Sequence, residues 1–141
     1  MNHRIANVAL RYALTAAFLS AVADRLGLWG PPGTPNVDWG APGNFTLAVA
    51  QLNPWLPTAL APSFAWFITA IEVGPAVLLI VGRAQRATAL ASGILLTLFA
   101  VAMAIVLGAK SPLNYSVFTA AAATFLLAAN SDRSRVYDEP Q

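Results

Sequence analysis

The sequence predicts an all-α integral membrane protein: a four-helix bundle whose outer connection is rich in Trp and Pro and carries a short interfacial helix. Three observations predict it. Of 141 residues, 57% are hydrophobic and only 10% charged, whereas about a quarter of a soluble domain is charged. The apolar residues gather into four spans, at about 5–26, 62–82, 87–107 and 113–130, each near the length that crosses a hydrocarbon core about 30 Å thick. Most of the Lys and Arg residues stand singly or in pairs at the ends of these runs, as topology in a bilayer requires, rather than in a patch suited to nucleic acid. Residues 1–141 are therefore expected to form a single membrane domain.

The first span begins like a secretory signal, with Arg4 in a basic head and Ala21-Val22-Ala23 as a cleavage-like end. Its apolar body exceeds a usual signal core, so it is expected to remain as a helix ending at Gly27. The connection 27–61 holds most of the chain's ten prolines, which rules out a continuous helix. Within it Asn44 is placed to cap a short segment, Phe45 to Leu52, that Asn53-Pro54 ends. Trp29, Trp39 and Trp55 flank that segment. Two readings stay open: a helix lying in the interface with its aromatic belt, or an irregular loop loosely anchored by its tryptophans.

The second span, Pro62 to Arg83, carries Glu72 near its middle. A charged side chain there costs roughly 2.5–3.5 kcal/mol on insertion scales, so it must be paired or used. Pro75 cannot donate a backbone hydrogen bond, which frees the Ile71 carbonyl beside Glu72. In the third span Ala89, Gly93 and Thr97 recur every four residues, a stripe small enough for a neighbouring helix to approach closely. The fourth runs from about Leu113 into a polar tail. Arg4, the Arg83/Arg86 loop and Arg133/Arg135 fall on one side, and Arg25 and Lys110 on the other, so both termini are expected in the cytoplasm.

Side chains of a helix lean toward its N-terminal end. Arg11 therefore leans toward the cytoplasm, away from Glu72, and is a poor partner for it. Arg25, at the outer end of the first helix, leans back into the membrane toward Glu72, directly or through a water, with Asp24 as the competing carboxylate. Lys110, Asn114 and Tyr115 enter at the same level, so Asp24, Lys110, Asn114 and Tyr115 are candidate ligand-binding residues around a candidate catalytic pair, Glu72 and Arg25. Alternatively, Arg25 and Glu72 only fix helix register, and Asn114 and Tyr115 cap and anchor the fourth helix. A poorly paired Glu72 would stay neutral and could donate to a carbonyl or quinone oxygen. With no Cys and a lone His3 ahead of the first span, the chain alone supports neither thiol exchange nor iron–sulfur or histidine-ligated haem chemistry in the bundle, and no metal site is expected.

Arg11, the Asp24-Arg25 helix end, the Trp/Pro connection, Glu72 followed by Gly74 and Leu78-Leu79-Ile80-Val81-Gly82-Arg83, and Lys110-Ser111-Pro112-Leu113-Asn114-Tyr115-Ser116 together resemble the DoxX family of small four-helix bacterial membrane proteins. That resemblance implies an inner-membrane accessory or quinone-interacting subunit linked to sulfur or thiol redox and oxidative-stress metabolism. No intrinsic cofactor is implied, although a quinone could be bound. Expected partners are the lipid bilayer, a redox protein or further copies of the chain, and not nucleic acid. The alternative is a structural protein, or one that handles a lipid or small molecule, without catalytic activity.

Overall fold

The computed structural model describes residues 3–137, with side chains from 4 to 131. Its elements are α1 (His3–Arg25), α2 (Pro42–Leu52), a 3-10 turn (Thr58–Leu60), α3 (Ala61–Val81), α4 (Gln85–Leu107), α5 (Lys110–Asn114) and α6 (Val117–Tyr137). No strand occurs among the described residues. Three helical stretches, Arg4–Arg25, Thr58–Val81 and Gln85–Leu107, are long and apolar enough to cross a membrane. They match the first three expected spans to within a few residues.

The expected fourth span differs. Lys110–Asn114 forms its own short helix, and Ser116 takes a left-handed backbone conformation (φ 55°) that separates it from α6. What remains apolar, Val117–Ser131, is a shorter helix, about 22 Å long at 1.5 Å per residue. Among the described residues three helices, and not the four expected, combine the length and apolar composition of a membrane crossing.

Contacts divide the chain into two compact units, Met1–Ala16 with Pro75–Gln141, and Ala17–Gly74. In the first, α4 packs along α6. Ala89, Ser92 and Gly93 are buried on the packed face of α4, and a Cβ added at Gly93 would lie 2.7 Å from both Phe125 and Thr124. The small-residue stripe of the third span is thus a packing face, with glycine required at its centre. Asn130 of α6 also donates to the Asn7 side chain at 3.1 Å.

The same unit contains Arg11. Its Nε and Nη2 donate to the Leu79 carbonyl at 2.8 and 2.6 Å, and Nη2 also reaches the Ile80 carbonyl at 3.0 Å. These carbonyls belong to the last turn of α3, which has no intrahelical donors for them. A guanidinium placed there also complements the negative end of the helix dipole. One turn along α1, Thr15 donates to the Ala76 carbonyl at 3.3 Å, just beyond Pro75, which α3 incorporates without ending.

In the second unit the connection is ordered by its own turns. Trp29 donates its indole N–H to the Ser20 carbonyl (3.1 Å) and hydroxyl (3.2 Å), folding the start of the connection back on α1. Gly40 has φ 63°, and a Cβ there would lie 2.5 Å from the Pro32 nitrogen, so only glycine lets the loop close. α2 is a helix, which removes the irregular-loop alternative for that segment. Its start is not Asn44, however. The helix opens at Pro42 after Ala41, using proline at its first position, where no N–H is needed, and Asn44 instead donates to the Trp39 carbonyl at 2.8 Å.

Candidate functional site

The second unit gathers three of the predicted site residues at the end of α1 and the middle of α3. Asp24, Arg25 and Glu72 are 6%, 4% and 3% exposed, a burial that charged groups tolerate only when they are paired. α3 presents Ala65, Thr69, Glu72 and Ala76 inward at helical spacing, so Thr69 lies one turn from Glu72 on the same face. That spacing was a signal for Thr69 that the sequence reading left unused.

Arg25 grips Glu72 with both terminal nitrogens. Nη1 contacts Oε2 and Nη2 donates to Oε1 at 3.0 Å, a two-pronged ion pair. Nη1 also donates to the Thr69 hydroxyl at 3.3 Å, while that hydroxyl donates onward to the Ala65 carbonyl at 3.0 Å. Two aromatic rings complete the enclosure. The guanidinium carbon lies 3.7 Å from the centre of Phe45 and 5.2 Å from that of Trp39, within cation–π range, and the two rings meet edge to face at 5.1 Å. The pair is direct and needs no intervening water.

Asp24 does not compete for Arg25. Its Oδ2 accepts from the backbone N–H of Asp38 (2.9 Å) and Trp39 (3.3 Å), and its Oδ1 from that of Gly40 (3.2 Å). Successive N–H groups wrapped around one carboxylate make a strong anion cradle. One residue thus holds the loop and the next holds α3. A sequence contains no marker for backbone partners fourteen to sixteen positions away, so this arrangement was not visible in it.

Lys110, Asn114 and Tyr115 belong to the other compact unit, where α5 and the turn after it leave all three exposed. Asn114 closes α5 and does not cap α6, since Ala120 N–H bonds the Ser116 carbonyl at the start of that helix. No group of three or more His, Cys, Asp or Glu able to hold a metal occurs among the described residues.

Beside Arg25 lies a shallow recess of about 250 Å³, counting its open mouth, lined by Arg25, Leu26, Pro42, Phe45, Thr46, Ala65, Trp66 and Thr69. Three long apolar helices among the described residues, with a buried arginine–glutamate pair, are the features of a multi-pass helical membrane protein. Over residues 3–129 its sequence matches the family described as Methylamine utilisation protein MauE, and the chain belongs to that family. This replaces the DoxX resemblance. The residues behind that resemblance have general roles here: Arg11 and Gly82 finish α3, and Lys110 to Ser116 form a short helix and turn, features that a membrane helix end can carry in any family. No curated protein and no solved structure matches the chain significantly.

Proposed function

We propose that this chain is an accessory inner-membrane protein of an amine-linked redox system, serving methylamine utilisation alongside a redox partner protein rather than performing the oxidation itself. Membership of the MauE family over residues 3–129 supports the metabolic setting. The observation that carries the accessory role is the bidentate engagement of Glu72 by Arg25, which occupies both carboxylate oxygens. In this reading the chain forms one membrane domain with both termini in the cytoplasm. α2 lies in the outer interface, and the 27–61 connection offers an ordered surface to the partner. Arg25 and Glu72 act as a fixed strut that sets the position of that connection, and Asp24 ties the loop to the strut. Both oxygens of Glu72 are engaged by Arg25, which favours the strut over a poorly paired acid that donates to a ligand.

The test is deletion of the gene in its own host. Membranes of the deletion strain should lose methylamine-dependent electron transfer, and regain it with the wild-type gene, while oxidation of a non-amine substrate stays unchanged. Methylamine oxidation at the wild-type rate without the gene overturns the proposal.

A further inference from the structure

The apolar side chains of α2 are turned to the protein. Phe45 and Val49, one turn apart, are buried, and Phe45 lies over Arg25. A helix that itself held the connection in a membrane surface would give such residues to lipid. Large exposed apolar groups stand on either side of α2 instead: Leu28 and Trp29 just after α1, and Trp55 and Leu60 just before α3, each more than half exposed. Trp29 runs back along α1. Its indole N–H reaches Ser20, five residues before the helix end at Arg25 and so about 7.5 Å from it at 1.5 Å per residue. A tryptophan at a membrane surface ordinarily keeps its N–H for water or headgroups. Here the donor is satisfied within the chain, and the exposed ring brings no unpaired polar group to an apolar layer. On the other flank Trp55 meets Phe64 edge to face and Phe64 stacks on Phe67, both at 6.1 Å between ring centres. Phe67 is itself exposed, nearly two turns into α3.

We propose that these two flanks form a lipid-binding surface that seats the connection in the glycerol and upper acyl layer of the adjoining leaflet, and that it takes zwitterionic lipid without needing an anionic headgroup. Position selects a lipid. Trp29 lies beside α1 below its end, and the Trp55 series continues onto α3, both helices of membrane-crossing length. Charge selects the lipid class. No Lys or Arg occurs at positions 26–82, and Arg25, the cation just before them, is held by Glu72. The surface therefore has no free cation to pair with a phosphate whose charge is not already balanced. The turn 31–35 between the flanks carries no large apolar side chain and is mostly exposed, so it stays in water, where a partner can meet it. This surface rests on the membrane setting proposed above but not on the amine-linked role.

The chain has no cysteine, so a nitroxide label can be attached at one introduced position at a time. Leu28→Cys and Trp55→Cys place it on the two flanks and Pro35→Cys on the turn, in the full-length protein reconstituted in phosphatidylcholine vesicles. Collision of the label with oxygen, which concentrates in lipid, is compared with collision with a water-soluble nickel chelate. Oxygen should dominate severalfold at 28 and 55 and the chelate at 35, and added phosphatidylglycerol or salt should change neither result. If Trp55→Cys fails to fold, Leu60→Cys on the same flank decides. The inference is overturned if the chelate dominates at either flank, as for a surface that meets water or a soluble partner, if the flanks enter lipid only with phosphatidylglycerol present, or if position 35 is as deep as they are. The labels report depth without methylamine, so this measurement and the deletion test can fail separately.

Discussion

Arg11 and Arg25 stand on the same helix, yet the protein satisfies their charges by different means. Arg11, in the first unit, faces carbonyl oxygens: its guanidinium closes the open end of α3 at Leu79 and Ile80. Arg25, in the second, faces a full countercharge in Glu72, a hydroxyl and two aromatic rings. The contrast shows that an arginine in an apolar helix is not one kind of object. Against dipoles it acts as a helix cap; against a carboxylate it becomes half of a unit that neither residue can leave without stranding the other.

Breaking the second arrangement should have the largest effect. Glu72→Ala leaves Arg25 buried without its countercharge, and should lower unfolding stability in detergent by about 3–5 kcal/mol. The double variant Arg25→Ala/Glu72→Ala should be less destabilised than the sum of the singles, whereas additive losses would mean that the residues are uncoupled. Next in size is Asp24→Ala, which strands three backbone N–H groups and should cost about 2–3 kcal/mol. Limited proteolysis should then cut the connection between Gly27 and Gly40 faster than in wild type; equal rates would show that the loop holds itself. Smallest is Arg11→Ala. Losing a cap on carbonyls should cost about 1–2 kcal/mol, and Arg11→Lys should recover part of it because a cation at a helix C-terminus needs no fixed planar geometry. An Arg11→Ala loss as large as that of Glu72→Ala would erase the distinction between the two arginines.

Much of this was legible in the sequence, for identifiable reasons. α1, α3 and α4 are long apolar runs with charges at their ends, and the bilayer imposes both features. The choice of Arg25 over Arg11 for Glu72 followed from the direction in which helical side chains lean, and the geometry agrees. Backbone-dependent features were not legible. Nothing local announces that Ser116 adopts a left-handed conformation, so the fourth apolar run read as one helix instead of two. The side chain of Asn44 looked like a cap, but Pro42 two residues earlier was already suited to open the helix. Family assignment failed for a related reason: short motifs at helix ends reflect membrane physics shared by many families, and the MauE match extends over nearly the whole chain instead.

The separation of Arg25 from Glu72 also sets a schedule for synthesis. The two residues lie 47 positions apart, so at about 5–20 residues per second a ribosome delivers the glutamate roughly 2–10 seconds after the arginine. During that interval α1 has emerged and its last residue has no partner. Arg25 tolerates the wait because it is the final residue of α1 and can remain among lipid headgroups. Glu72 is central in α3 and has no such refuge. Its entry into the bilayer is therefore the step at which the second unit must assemble, and α1 serves as the receiving template for the helix that follows.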